Sequence, residues 1–578
     1  MQLSLQKGSR AVVLGSLLLF VMLLFAARLF HLQIIKHDDY VAQAQAEHMK
    51  PLVIPAKRGL IYALDGDKPI KLVMNQTVYT LFADPVAVED KQKILEVIRK
   101  VAGGNLRPDL DKLLAKSDTR YQILGTKLTR HQAEIIKKES LKGIGFQAVS
   151  QRVYPEGGLA AQTLGFVNTE GKGQYGIEGS LDDRLVGQDG LLKSVTDVSG
   201  VPLTIGKDNI NQPARDGENI VLSIDRNIQA QTEKVLTAAL EKSGAKQGSV
   251  MVMDPQTGRV MAMANMPTYK PAEYFRVQDA SAFNNAVVAV PYEAGSVIKA
   301  LTVAVGLDRG AIQADSTYVN TDKIKVGDKE IGNATKGQTG MITMQRALDY
   351  SLNTGMVTIA QRLGDGSINQ AARNVMYEYF HDRFGLGKRT GIELLGEAQG
   401  SVTTPSVPGA AVQYATMSFG QGMNVTMTQV AAAFSAAING GVYYRPTVIA
   451  GTVDVDDVTF NESAPEVVRR DVVQPATSQA VREMVYEARK RFHGDKDRAG
   501  YEVGGKTGTS QTLIGGRYVD EQTIGSYLGY GGDDRPRYVI MVQVSGEGMN
   551  LEGGKHAMPI FTDISNWMID YLKLQPKG

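Results

Sequence analysis

Residues 11–27 carry no charge, and Lys7 and Arg10 stand just before them. After Arg28 the apolar character resumes with Leu29, Phe30, Leu32, Ile34 and Ile35. A run of this length approaches the ~17–25 residues that span a bilayer as a helix. Cleavage of an exported segment wants small residues at both ends of an A-x-A-like site. Two positions upstream of Ala26 and Ala27 stand Leu24 and Phe25, which are too large. The pattern therefore predicts a tail at 1–10 and an uncleaved transmembrane anchor at 11–35. The basic residues before the span place the tail in the cytoplasm and everything after about Lys36 outside.

From 36 to 215 the patterning is mixed. Residues 51–62 read as extended chain. Val73-Met74 and Val78-Tyr79-Thr80-Leu81-Phe82 are rich in strand formers, and the polar Asn75-Gln76-Thr77 between them predicts one bent strand or two short ones. Residues 91–101 and 129–140 repeat apolar positions at helical spacing. Residues 157–190 are glycine-rich, including Gly171-Lys172-Gly173 and Gly176, but no strand–G-x-x-x-x-G-K-[ST]–helix order is present. Those glycines read as turns.

A second unit is expected over 216–578. Residues 220–224 read as a strand, and Asp225 can cap a helix at 227–242 with Ile228, Val235, Leu236, Ala239 and Leu240 on one face. A hairpin follows, with strands at 250–253 and 259–263 around Asp254-Pro255-Gln256-Thr257-Gly258. Its methionines read as core filling. Next come a buried helix after Gly295 and a largely helical region to Asn439. Strands at 504–509, 523–530 and 538–544 and a closing helix at 558–572 end the chain. Strands at both ends with helices between them imply one antiparallel sheet whose halves are far apart in sequence.

Composition narrows the chemistry. The 578 residues include 63 Lys+Arg against 61 Asp+Glu, a net charge of +2, which gives no case for nucleic acid. The absence of cysteine excludes disulfides, thiolate metal sites and a cysteine nucleophile. The seven histidines lack ligand spacing, so neither metal nor cofactor is expected.

The strongest chemical signal is Ser296-Val297-Ile298-Lys299, preceded by Tyr292-Glu293-Ala294-Gly295 and followed by an apolar run to Leu307. A helix apolar all round is buried. Were it to begin near Gly295, Ser296 would lie in its first turn, and Lys299, one turn on, would share its face. Desolvation lowers a lysine's pKa and can make it a neutral base. The same spacing recurs at Ser4–Lys7 and Ser243–Lys246, but neither has a buried helix behind it. Ser351-Leu352-Asn353 adds a hydroxyl that can relay a proton and an amide that both donates and accepts. Lys506-Thr507-Gly508-Thr509 adds a fixed positive charge and two hydroxyls, and a glycine that lets a substrate backbone approach the strand.

The order S-x-x-K, S-x-N, K-T-G is the known signature of penicillin-binding proteins and class A β-lactamases. The chain resembles the class B penicillin-binding proteins, the monofunctional peptidoglycan transpeptidases, over nearly its whole length. Further matches are Arg58-Gly59-Leu60-Ile61, Ala83-Asp84-Pro85, Arg152-Val153-Tyr154-Pro155, Gly176-Ile177-Glu178, Gly420-Gln421-Gly422 with Val425-Thr426, and Asn439-Gly440-Gly441. Two departures are Val297, where the family usually has threonine, and Asp65-Gly66, all that remains of a usual Asp-Arg-Asn-Gly.

The resemblance implies an α+β fold: a penicillin-binding/serine β-lactamase-like domain, its antiparallel sheet covered by helices on both sides, behind a mixed α/β pedestal of the dimerisation type. It implies that Ser296 attacks the carbonyl between the last two D-alanines of a stem peptide. Lys299 takes the proton, Ser351 relays one to the leaving D-alanine, and Asn353 holds Lys299 and the substrate backbone. Lys506, Thr507 and Thr509 hold the terminal carboxylate, with Gly508 between them. The N–H groups of Ser296 and Thr509 form the oxyanion hole. β-Lactams would stay attached to Ser296. The implied partners are stem peptides, a SEDS-family glycosyltransferase in the same membrane, and other divisome or elongasome membrane proteins. The chain's length suits the division branch, with the elongation branch as the alternative. A β-lactamase would need a Glu-x-x-Leu-Asn run between Asn353 and Lys506, which is missing. A membrane β-lactam sensor would need more spans and a cytoplasmic effector, and a purely structural scaffold would show broken motifs.

Overall fold

A computed structural model describes residues 7–40, 49–116, 118–195, 210–454, 459–514 and 517–576. Residues 1–6 of the expected tail, Ser4 among them, lie outside the described residues. Two compact units are present: Met1–Arg58 with Val186–Gly217, and Gly59–Leu185 with Glu218–Gly578. The first holds the helix Lys7–Phe30, continued by a wider turn at His31–Ile35, and a three-stranded antiparallel sheet of Met49–Ile54, Gly190–Val195 and Ile210–Gln212. Among the described residues one helix, Arg10–Ile35, is long and apolar enough to cross a membrane. Its large apolar side chains, such as Leu19 and Phe25, are exposed, as for a helix whose solvent is lipid.

The second unit contains two large sheets and, among the described residues, four two-stranded ones. In one, Ile61–Asp65 pairs antiparallel with a single strand, Lys68–Ala83, whose far half pairs with Gln122–Leu128 and Ile144–Val153. The bent strand expected around Asn75-Gln76-Thr77 is therefore one continuous element. The helix Lys91–Ala102 packs Ile94 and Ile98 on this sheet. The helix Arg130–Lys138 starts with a reciprocal cap, in which Thr129 and Gln132 each satisfy the other's backbone N–H. The strand Asn219–Asp225 runs parallel to Ile61–Asp65 and antiparallel to Ile449–Val453. It thus joins this sheet, not the sheet of the hairpin that follows it. Seven consecutive buried residues, with no alternation to mark a face, left its partner open in the sequence.

The other sheet is built from both ends of the remaining chain. Asp225 caps α1 (Arg226–Ser243) by accepting from the N–H groups of Asn227 and Ile228. The hairpin strands β1 (Gln247–Met253) and β2 (Val260–Met266) follow. Next come α2 (Lys299–Asp308), α3 (Met344–Asp349), α4 (Asn353–Arg362), α5 (Met427–Ile438) and α6 (Pro475–His493). Three long strands, β3 (Glu502–Ile514), β4 (Arg517–Gly532) and β5 (Pro536–Ser545), and α7 (Met558–Tyr571) end the chain. The strand order is β2-β1-β5-β4-β3, antiparallel throughout, which realises the predicted pairing of distant halves. Side chains alternate across it. Met251, Met253, Val539 and Met541 enter the core with α2 and α5. Val250, Val252, Ile540 and Val542 enter the core with α1 and α7. Both faces are covered there, so the central strands are apolar at consecutive positions, Val250–Met253 in β1 and Val539–Val542 in β5.

The region between α2 and α3 departs from the helical expectation. It forms two small hairpins, Thr317–Asn320 with Gly340–Thr343 and Lys323–Val326 with Lys329–Gly332. These strands are four residues long, rich in lysine and glycine, and half exposed, so they leave little apolar signal. Behind β3 and β4, the fully buried guanidinium of Arg489 pairs with Asp497 and donates to Tyr527 Oη (2.5 Å) and Thr562 Oγ1 (2.9 Å). This one group ties α6, β4 and α7 together.

Arg489→Ala strands Asp497 as an unpaired, largely buried charge. A loss of ~3–5 kcal/mol is expected, read as a drop in the urea midpoint. Arg489→Met combined with Asp497→Leu should recover part of it. A single variant as stable as wild type would show that Arg489 is not a structural tie.

Candidate active site

The turn Gly295–Ile298 is a 3-10 turn, and the α-helix proper starts at Lys299. Ser296 therefore sits one step ahead of α2 rather than inside its first α-turn. Residues 299–306 are all buried, Lys299 completely. Half-buried Ser296 rides on a turn clamped from two sides. On one side the Gly295 N–H donates to Gly420 O at 3.0 Å, and Gly422 N–H donates to Glu293 Oε1 at 2.7 Å. Gly420 holds φ +86°, and a Cβ there would come within 2.0 Å of Gly295 O. Tyr292 pairs its backbone with Val425. On the other side lies β3: a Cβ on Gly295 would meet Thr509 O at 2.9 Å.

The Lys299 amine has three partners: Ser351 O at 2.5 Å, Asn353 Oδ1 at 2.8 Å and Ser351 Oγ at 3.1 Å. Two of these oxygens can only accept, while the hydroxyl can also donate. A charged amine fills all three as donor. A neutral amine keeps its two N–H bonds to the carbonyl oxygens and offers its lone pair to the Ser351 hydroxyl. The cage thus suits both charge states. Burial first, and the nearby charge of Lys506 second, hold Lys299 well below the ordinary lysine value of 10.5.

Ser351 lies between α3 and α4 at φ +57°, a conformation of modest cost for a non-glycine residue. Asn353 opens α4, and its Nδ2 donates to Gly332 O at 2.9 Å. The next residue of that hairpin, Asn333, accepts from Thr354 N–H at 3.0 Å and donates to Asn320 and Asp322. The inserted hairpins therefore fix the amide that holds Lys299.

Lys506 is buried on β3, and its amine makes only long contacts to Thr507 O (3.3 Å) and Thr507 Oγ1 (3.4 Å). Donor capacity remains for an anion. Burial, opposed by the Asp349 carboxylate, brings Lys506 from 10.5 down to about 7. Asp349 closes α3 beside Ser351. It accepts from Gln345 Nε2 and forms an ion pair with Arg491 Nε at 2.7 Å without hydrogen-bond alignment. Thr507 is half-buried and Thr509 exposed, and Thr509 Oγ1 accepts from Gly553 N–H at 3.1 Å. Gly508 faces the protein itself: a Cβ there would meet Ser526 Oγ at 2.3 Å, Ala294 O at 2.9 Å and Val297 Cγ1 at 3.0 Å. Its glycine character lets β3 close onto the Ser296 turn, whereas the sequence suggested room for a ligand.

The structure thus brings the lysine of the first motif onto the second, and the Ser296 turn onto the third. Sequence reasoning left three supports without a role: Glu293 with Gly420 and Gly422, Asn333 with Gly332, and Asp349. Glu293, Gly420 and Gly422 appeared only as matched residues. Asn333 and Asp349 carry no local signal, since the partners that tie them to the site, Thr354 for Asn333 and Arg491 and Lys506 for Asp349, lie 21 or more residues away.

Comparison with known proteins follows the same layout. Residues 248–566 match a family model described as the penicillin binding protein transpeptidase domain, and residues 53–222 match the penicillin-binding protein dimerisation domain. The chain is 30% identical over 570 residues to stage V sporulation protein D of Bacillus subtilis, covering 96% of this chain and 85% of that one. It is 28% identical over 575 residues to the peptidoglycan D,D-transpeptidase FtsI of Escherichia coli, covering 98% and 92%. Among solved structures it is similar to penicillin binding protein 3 from Mycobacterium tuberculosis complexed with aztreonam. That likeness has a TM-score of 0.68 at 26% identity and covers 91% of this chain and 98% of that one.

A buried lysine with a lowered pKa costs stability. Below about pH 7 the folded chain carries the full penalty of charging Lys506, and the penalty shrinks as pH rises from about 7 toward the unfolded value of 10.5. Lys506→Met is therefore expected to raise Tm most near pH 6, by a gain on the order of 2–4 kcal/mol, and by less than half as much at pH 9. Calorimetry of the detergent-solubilised chain reads this. An equal gain at both pH values would mean that Lys506 is not held with a lowered pKa.

Proposed function

The chain belongs to the penicillin-binding protein transpeptidase family, and on that premise we propose that it cross-links peptidoglycan stem peptides during septal wall synthesis through an acyl-enzyme on Ser296. The observation that carries the role of Ser296 is the caged amine of Lys299, one turn away, buried and bonded to both Ser351 and Asn353. Ser296 Oγ attacks the carbonyl carbon of the penultimate D-alanine, and its proton passes to neutral Lys299. The oxyanion forms beside the N–H groups of Ser296 and Thr509, an arrangement supported by the contact of Gly295 with the Thr509 backbone. The C–N bond then breaks. The leaving amine takes a proton through the Ser351 hydroxyl, which is replenished from Lys299, and terminal D-alanine departs. A primary amine of a neighbouring stem peptide attacks the ester carbonyl, the new amide forms, and Ser296 recovers its proton. Lys506, Thr507 and Thr509 hold the terminal carboxylate, and that anion raises the pKa of Lys506 on binding.

The division into a pedestal at 36–215 and a transpeptidase unit at 216–578 is part of the same proposal, and the two family matches support it. So is the placement of the tail in the cytoplasm and of the catalytic unit outside. The span at 11–35 and the pedestal carry no catalytic constellation among their described residues. We assign them to coupling with a multi-span SEDS glycosyltransferase, whose polymer this enzyme would cross-link. Replacing the span with an unrelated apolar helix should abolish co-purification of that partner. Unchanged co-purification would reduce the span to a tether.

β-Lactams mimic the D-Ala-D-Ala end, so fluorescent penicillin tests the chemistry directly. Wild type should label covalently and Ser296→Ala should not. Lys299→Ala should acylate about 100-fold or more slowly, the usual worth of a general base. Acylation needs Lys299 neutral, a state its lowered pKa favours, and Lys506 charged, so the rate of free enzyme should fall as pH rises through about 7, where Lys506 loses its charge. Equal labelling of Ser296→Ala, or acylation of Lys299→Ala at the wild-type rate, would remove the respective residue from its role.

A further inference from the structure

A cavity of about 680 Å³ opens beside the nucleophile turn. Tyr292 and Glu293, just ahead of Ser296, line it, and so do Gln511 and Thr512, just beyond Thr509 on β3. Its other walls are rich in carboxamides, among them Asn424 and Gln522. The charged groups among the described lining residues are Glu293, Glu547 and Lys246. Glu293 lies nearest the chemistry, and its carboxylate accepts from Gly422 N–H and Tyr518 Oη. Lys246 enters the cavity from a different strand than Gln511 and Thr512. It precedes Gln247 on β1, and β1 is the third strand over from β3, roughly 14 Å away at ~4.8 Å per strand. Gln247 pairs with Ser545, and Glu547, two residues on, lines the cavity together with Lys246, so the described lining carries two carboxylates against one ammonium. The end of the cavity next to Ser296 therefore carries the Glu293 carboxylate, with the neutral Tyr292, Gln511 and Thr512 beside it.

β3 is an edge strand, so a bound peptide can lie along it as an added strand. With its terminal carboxylate at Lys506 and Thr507 and its scissile carbonyl at Ser296, the preceding residues run toward Gln511. At ~3.3 Å per residue, the third residue from the end draws level with the segment Thr509 to Gln511, at the mouth of the cavity. We propose that this cavity is the subsite for the side chain of the donor's diamino residue. It selects a side chain that ends in an ammonium group with hydrogen or a carboxamide beside it, and it rejects a free carboxylate there. The ammonium meets Glu293. A carboxamide meets groups that donate and accept. A carboxylate would lose its hydration beside Glu293, and the one cation among the described lining residues, Lys246, comes from β1 rather than from β3. This selectivity rests on the transpeptidase reading and names the substrate form that reading leaves open.

The test uses the full-length chain in detergent with three thioester analogues of the stem peptide. Their third residue is lysine, meso-diaminopimelate, or meso-diaminopimelate amidated at its distal carboxyl. Each variant's rates are divided by its own rate of penicillin acylation. Wild type should turn over the lysine and amidated donors with kcat/KM about 10-fold or more above the free carboxylate donor. Gln511→Arg, a change at an exposed side chain, should erase or reverse that ratio by supplying a cation on β3. Equal kcat/KM for all three donors, or a ratio unmoved by Gln511→Arg, overturns the subsite and leaves the transpeptidase intact. Penicillin labelling of Ser296 without turnover of any thioester overturns both.

Discussion

One buried amine organises this site. Lys299 begins a helix with no exposed residue over its first two turns, so its nitrogen has no access to bulk water and must find every partner inside the protein. Ser351 supplies two oxygens and Asn353 a third. That demand couples α2 to the α3–α4 junction. Through Asn353 and Asn333 it also couples α2 to the hairpin that ends 21 residues before Asn353. The burial that makes the amine costly is also what lowers its pKa, which suits it to the proposed role of base.

The second constraint is close backbone approach. Gly295, Gly420 and Gly508 bring three segments together around Ser296, and at each a Cβ would meet backbone atoms at 2.9 Å or less. The contact is made on one side by the loop that follows the helix Ala410–Met417 and on the other by β3, each a long way from Ser296 in the chain. Two further buried charges are held differently. Arg489 is fully paired and acts as a tie. Lys506 has only weak partners and keeps its donors for an anion. Pairing distinguishes a structural cation from one available to a ligand.

Much of this was legible in the chain. The apolar stretch after Lys7, the capping pattern at Asp225, the hairpin around Asp254 and the three motifs all lie within short windows, where helical or strand spacing and residue chemistry suffice. The expectation of helix from Lys299 to Asn439 missed four short strands. Their side chains are mostly solvent-facing, and their pairing is stabilised by a polar network around Asn320 and Asn333 rather than by an apolar face. The strand Asn219–Asp225 was recognised, but not its partner, because a strand buried on both faces carries no mark of the sheet to which it belongs.

By itself the sequence determined the long apolar helix near the N-terminus, the main strands and helices of the second unit and the three motifs that bear the candidate chemistry, since each depends on residues a few positions apart. Only the tertiary structure decided that Lys299 turns onto Ser351 and Asn353, that Gly508 serves the closing of β3 on the Ser296 turn, that Asp349 sits near Lys506, and that Glu293 and Gln511 line one cavity beside that turn. Each of these is a contact between segments tens to hundreds of residues apart. Local patterning carries no record of such a pairing, because it is set by which buried groups must satisfy one another once the core has closed.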